Sequence, residues 1–230
     1  MVNIPFENNI IVARTIDDAW RNVMWCCVRN GYDYKIEQGS YEGQFRRQLD
    51  YVVVKIEEPW SRPLAVQTPE GSGIPSPTDE ESIVEYFFKY IMGNEKSEQE
   101  EYTYGEYIVP QIKRVIEILN QSHGNSNQAT ITVGEPNSVY QEDPPCLRSI
   151  SFKVVNGKLN MSVYFRSWDL YSGFPENLGG LQMLKEYVLM CLDFDVEDGE
   201  IISFSDGLHL YEMYFPLASS LCVDKIKRSD

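Results

Sequence analysis

"SISFKVVNGKLNMSVYF", residues 149–165, decides the fold. Asn156-Gly157 separates two runs rich in β-branched and aromatic residues. Asn-Gly between such runs is a strong signal for a two-residue hairpin turn, because both residues tolerate positive φ. Pairing about this turn brings together residues whose numbers sum to about 313. Extended upstream, the register reaches "DPPC", residues 143–146, where Pro144 and Pro145 restrict the backbone just before Cys146. Cys146 then lies opposite a position near Ser167, with Arg166 its neighbour across the ladder. A guanidinium so placed can lower the thiol's pKa or hold an anion beside it. A fixed, partly exposed thiol near positive charge has what a nucleophile needs. The alternative is a structural cysteine buried at a strand end, a common fate for free thiols.

Outward from the hairpin, elements of both kinds alternate. "TIDDAWRNVMWCCVRNG" predicts a helix with Thr15 as N-cap, Asp18 three residues on and Gly31 at its end. Trp20, Val23, Met24, Cys27 and Val28 fall on one face. Val52 to Ile56 read as a strand ended by Pro59, and the Pro, Gly and Ser of "PLAVQTPEGSGIPSPT" as a loop. "TDEESIVEYFFKYIMG" opens with a capping box, Thr78 and Glu81, and predicts a helix closing at Gly93. "NEKSEQEEYT" reads as a solvated acidic loop and "YIVPQIKRVIEILNQS" as an amphipathic helix. A short strand, "QATITV", precedes the hairpin. The largely apolar "ENLGGLQMLKEYVLMCL" follows as a central helix, and "GEIISFSDGLHLYEMYF" closes as strand, loop and strand. The expected class is α+β, one domain over residues 1–230.

Charge narrows the partners. The 230 residues carry a formal charge of −15, which repels nucleic acid and anionic membranes. A small anion could bind only where a few Arg or Lys reverse the field. The five cysteines are odd in number and show no C-x-x-C pair, so neither a disulfide framework nor a metal site is indicated. Free thiols, an N-terminus unlike a signal peptide and no apolar stretch long enough to span a bilayer point to the cytoplasm.

The ordered motifs "PPC", "RSWD", "GFPEN" and "HLY" resemble the thymidylate synthase family, over about residues 80 to 215. "SIVEYFFKYI" looks like that family's helix bearing a catalytic glutamate, and "YTYGEY" like its Tyr-Gly segment at Tyr104 and Gly105. The chain's length is similar to the compact archaeal-type members. The resemblance implies a mixed sheet packed with helices and conversion of dUMP to dTMP. Cys146 would add to C6 of the uracil ring, making C5 nucleophilic toward the one-carbon unit of 5,10-methylene-tetrahydrofolate or 5,10-methylene-tetrahydromethanopterin. It further implies Arg166 and Ser167 at the 5′-phosphate, Asn177 at the pyrimidine edge, and His209 and Tyr211 at the 3′-hydroxyl. Asp169 would meet the pterin, and Glu85 would order waters for proton transfer. An asparagine amide matches uracil's O4 and N3–H, which favours dUMP over dCMP. A homodimer paired through its sheets is implied as well.

The sequence departs from the family in two places. The adjacent arginines that a partner subunit usually sends to the phosphate are here Asn127 and Gln128, and the N-terminal arginine loop is not recognisable. Charge-assisted contacts contribute about 1.5–3 kcal/mol each, so either Arg46, Arg47 or Arg148 substitutes or the ligand is not a simple 5′-monophosphate. After Tyr211 only 19 residues remain, short of the segment with which larger members close the site. Without closure, water rather than hydride could resolve the intermediate. A pyrimidine nucleotide C5 hydroxymethyltransferase and a non-catalytic nucleotide-binding relative are therefore the rival expectations.

Overall fold

The hairpin forms as its turn chemistry dictates: Asn156 and Gly157 both take positive φ, 53° and 75°. It lies within a computed structural model that describes residues 9–39, 41–96 and 101–226. In chain order the elements are β1 (Ile10–Ala13), α1 (Ile16–Asn30), β2 (Tyr32–Lys35), β3 (Phe45–Ile56) and α2 (Glu80–Tyr86), which runs on into a π-helical turn (Phe87–Ile91). There follow α3 (Gly105–Ser122), β4 (Thr130–Thr132), β5 (Leu147–Val155), β6 (Lys158–Phe165) and β7 (Trp168–Asp169). The chain closes with α4 (Gly173–Met190), β8 (Glu197–Tyr211) and α5 (Phe215–Ile226).

One mixed sheet runs in the order β1-β3-β8-β6-β5-β4, with β2 paired to β3 and β7 to β8. The long central strand β8 is antiparallel to β3 and parallel to β6 and β7. The α+β expectation holds. The core lies between the sheet and the helices, with Trp20, Met24 and Cys27 of α1, Leu178 and Leu184 of α4, and Val54 and Ile201 of the sheet all buried.

α1 begins and ends where its caps predict: Thr15 accepts from the Asp18 amide, Asp18 answers to the Thr15 amide, and Gly31 closes the helix. The other helical start is corrected. Asp79, not Thr78, caps α2, its carboxylate accepting from the Ser82 amide at 2.8 Å, and no capping box with Glu81 forms. Aspartate caps at least as well as threonine, and the chain takes the later residue. Two strands exceed their sequence signals: β3 starts at Phe45, and β8 is continuous where a loop was expected. In both, pairing with a long neighbour supports polar residues that carry no strand pattern alone. Residues 97–100 of the acidic loop, the first eight residues and the last four lie outside the described residues.

Two details of the sheet set up one corner of the molecule. Leu147 pairs with Phe165 and Ser149 with Tyr164, so Arg148 is an extra residue in β5. This bulge moves the register by one, and the Arg166 amide donates to the Cys146 carbonyl at 2.8 Å. Arg166, not Ser167, therefore stands directly opposite Cys146. On β3 the buried alternation slips near Tyr51, whose φ is +54°. Below the slip Arg47 faces the helices, its guanidinium over the Phe215 ring. Arg46 and Gln48, with their partners Tyr211 and His209 on β8, face the other way.

Candidate active site

Cys146 sits half-buried at the entrance to β5, with Arg166 across the ladder. The Arg166 guanidinium reaches back over the two prolines. It donates to the Pro145 and Pro144 carbonyls and pairs with Asp143. Burial pushes the Cys146 thiol above its ordinary pKa. Arg166 opposes this most, Asp143 adds to it, and Arg46 and Arg148 oppose it further. The charges of three guanidinium groups thus act on one thiol in a chain of strongly negative net charge.

Of the three arginines offered as substitutes at the phosphate, the structure separates one. Arg47 is on the helix side, held by Asp33 through two bonds of 2.6 and 2.8 Å. Arg46 lies on the thiol side, stacked 4.7 Å over Tyr34, with a buried Nε that no described residue accepts. Burial lowers its pKa, as does Arg166 nearby. Arg148, the bulge residue, lies beside Gly134; its carbonyl accepts from the Val133 amide at 2.9 Å, while its guanidinium makes no hydrogen bond or ion pair among the described residues.

His209 is 2 % exposed. Its Nδ1 lies 3.3 Å from the Gly207 carbonyl, and its Nε2 is buried without a partner among the described residues. Burial, then the charge of Arg46, pulls its pKa down to about 4, so the ring is neutral near pH 7. Tyr211 packs edge-on against it at 4.8 Å. The charge of Arg46 acts on both rings.

A third set comes from the start of α4. Asp169 accepts from the amides of Tyr171, Ser172 and Gly173 and from the Ser172 hydroxyl at 2.6 Å, so it ties down the turn that leads into this helix. Asn177, one turn in, is held at both ends of its amide. The Trp168 indole donates to Oδ1, and Nδ2 donates to the Tyr86 hydroxyl, both at 2.8 Å. Tyr86 approaches this closely because Gly179 and Gly180 carry no side chain. A Cβ there would stand 2.8 Å from Ile83 and 2.7 Å from Tyr86. Tyr86 belongs to a tyrosine cluster with Tyr90, Tyr102 and Tyr104. The Tyr104 hydroxyl accepts from the Leu147 amide at 3.3 Å, which ties the cluster to the residue after Cys146.

Glu85 is not part of this assembly. Its side chain is 56 % exposed and paired with Lys89, one turn on along the same helix. Ile83 and Phe87 are the buried positions of this segment, and Glu85 falls on the opposite phase. The neighbouring Tyr86 takes the inward place. Ser167 follows Arg166 at a half-buried position. Among the described residues no three His, Cys, Asp or Glu are grouped to hold a metal.

A half-buried thiol opposite an arginine and an amide held between Trp168 and the tyrosine cluster are thus tied to neighbouring strands of the sheet. The family model for thymidylate synthase matches residues 82–228. The chain belongs to the thymidylate synthase family. A Methanosarcina acetivorans protein named "Putative thymidylate synthase" is 33% identical over 214 residues, 88% of this chain and 89% of that one. A protein of the same name from Methanothermobacter thermautotrophicus is 25% identical over 230 residues, 92% of this chain and 97% of that one. The thermostable thymidylate synthase A of Bacillus subtilis shares the fold with a TM-score of 0.65 at 14% identity, covering 90% of this chain and 83% of that one. Thymidylate synthases are methyltransferase-type enzymes that bind dUMP and a methylene-tetrahydrofolate-type co-substrate.

Within this family frame, sequence reasoning missed three residues. Tyr86 was detectable from the three-residue spacing after Ile83. Glu176 sits beside Asn177, with a carboxyl that burial, then Asp169 and Asp79, hold above its usual range. Its charge reaches the Tyr86 hydroxyl. Trp168 gave no signal, because its indole hydrogen bond exists only once β7 has been laid beside β8.

Proposed function

We propose that the chain converts dUMP to dTMP, with Cys146 adding to C6 of the uracil ring and a methylene-bearing tetrahydrofolate or tetrahydromethanopterin supplying the one-carbon unit. The observation that carries this reading is Arg166 standing directly opposite Cys146, its amide donating to the Cys146 carbonyl at 2.8 Å, with the charges of Arg46 and Arg148 also acting on the thiol. Each guanidinium stabilises the thiolate, and together they can balance a phosphate dianion. Arg46 and Arg148 then take the place of the arginines that the sequence lacks, and a 5′-phosphate competes with Asp143 for Arg166. Ser167 adds a hydroxyl to the same anion.

The remaining groups place the nucleoside. The unpartnered Nε2 of His209 and the Tyr211 hydroxyl meet the sugar 3′-hydroxyl. Asn177 meets the base edge. Adduct formation at C6 moves charge onto O4, where the buried Tyr86 hydroxyl can donate. Glu176, an uncommonly basic carboxyl beside Asn177, is suited to take up the C5 proton. Asp169 acts chiefly by holding the start of α4, and so the Asn177 amide, in place; one lone pair of its Oδ1 remains for a pterin donor. Two copies pair through the open face of the sheet, where Ile10 and Val12 are exposed and Val53, Ile202 and Phe204 half-covered.

Tritium release from 5-tritiated dUMP, with either reduced pterin, tests this. Cys146→Ala should abolish release, and Glu176→Gln should slow it by about 100-fold, the usual weight of a proton-transfer group. Glu85→Gln should leave it within about two-fold, as expected for an exposed ion pair. Mass spectrometry of the product distinguishes methyl from hydroxymethyl. Release that persists in Cys146→Ala would rule out the covalent route.

A further inference from the structure

The hydrogen bonds around Asn177 have a direction that the residue alone does not. The two ends of an asparagine amide are nearly the same size, so packing does not decide which faces where, but partners do. An indole N–H can only donate. The Trp168 Nε1 contact at 2.8 Å therefore compels the amide oxygen to face Trp168. A tyrosine hydroxyl such as Tyr86 can donate or accept and would tolerate either end. Trp168 cannot swing away, because it is 2 % exposed and stacked on Phe165 at 3.8 Å and 6°, with Phe174 packed against it at 4.6 Å.

An asparagine amide supports up to four hydrogen bonds, and two are used within the protein. One N–H and one lone pair of Oδ1 remain for a ligand. The Tyr86 hydroxyl accepts from Nδ2, so its own proton is left to donate, and no described residue accepts it. The Nδ2 side of the amide therefore offers two donors together, and the Oδ1 side offers an acceptor.

We propose that Trp168 is a specificity-determining residue: by fixing the Asn177 amide in one orientation, its indole N–H makes the site select uracil and reject cytosine. This rests on the nucleotide reading given above. A uracil edge presents a C4 carbonyl with two lone pairs, which accepts from Nδ2 and Tyr86, and an N3–H, which donates to Oδ1. A cytosine edge presents an amine at C4 and a bare N3. It would set donor against donor and lone pair against lone pair. Turning the amide over would suit cytosine, but would then point Nδ2 hydrogens at the indole hydrogen. Rejection thus comes from a repulsive contact on the far side of the amide from the ligand.

Calorimetric titration of dUMP and dCMP into the whole chain tests the lock. The variants are Trp168→Phe and a chain carrying benzothienylalanine at position 168, which keeps the indole shape and replaces the N–H with sulfur. The second guards against a Phe variant that fails to fold. Both should lose roughly ten- to hundred-fold of the dUMP preference, mainly by gaining dCMP affinity. A merely structural role would weaken both nucleotides alike. Tyr86→Phe should weaken dUMP without raising dCMP affinity, because the indole still orients the amide. Position-168 variants that keep the original dUMP-to-dCMP ratio would overturn the lock while leaving the nucleotide reading intact. An unaltered chain that binds neither nucleotide, or prefers dCMP, would overturn that reading and the lock with it.

Discussion

His209 is a neutral imidazole built into the sheet, and its titration should mark the stability of the molecule. Its folded pKa of about 4 lies below the ordinary value of 6.5, chiefly through burial. Between those values the unfolded chain takes up a proton that the folded chain refuses. The stability this residue secures is complete above about pH 6.5 and is lost as pH falls toward 4, on the order of 3 kcal/mol in all. Urea unfolding at pH 7, 6 and 5 should therefore show a steeper acid loss for the natural chain than for His209→Gln. Parallel losses would mean that the ring is solvated. Burial likewise raises the Cys146 thiol despite its arginines: desolvation outweighs each charge in turn.

At the level of elements, the start of α4 is where stability and chemistry share atoms. Asp169 accepts from the amides of Tyr171 and Ser172, in the turn before the helix, and of Gly173, its first residue, and the next turn of backbone presents Asn177 and Glu176. Asp169→Ala should cost about 1–3 kcal/mol in urea unfolding, the usual weight of amides left without their acceptor. It should also weaken nucleotide binding, because the first turn would fray. Full stability in that variant would show that the amides find other partners. The bulge at Arg148 is the other functional irregularity. One extra residue turns a guanidinium out of the ladder and sets Arg166 opposite the thiol, an arrangement regular pairing would have missed by one position.

For the molecule at large, the described helices pack on one face of the sheet and leave apolar residues of the other exposed. β1 puts Ile10 and Val12 on the open face beside Val53 and Lys55, while Ile11 packs inward with Val54. Apolar residues at 50 % and 56 % exposure on a broad sheet are what a second copy would cover. Sedimentation equilibrium should find a dimer that Val12→Asp dissociates, since a buried charge without a partner is costly. A monomer at all concentrations would refute the pairing and leave Arg46, Arg148 and Arg166 as the complete phosphate pocket.

Much was legible in the sequence. Asn156-Gly157 named its own turn, Thr15 and Asp18 their own cap, and the spacing of Cys146, Arg166, Asn177 and His209 the family, because local chemistry and residue order are properties of the chain. What the tertiary structure alone decided depended on phase, register and partners. Helical phase put Tyr86 inside and Glu85 out. A bulge chose Arg166 over Ser167 as the thiol's neighbour. Strand alternation sent Arg46 to the site and Arg47 to Asp33. The orientation of Asn177 came from an indole nine residues earlier, brought alongside only by folding, and a hydrogen bond between such groups leaves no periodicity in the sequence.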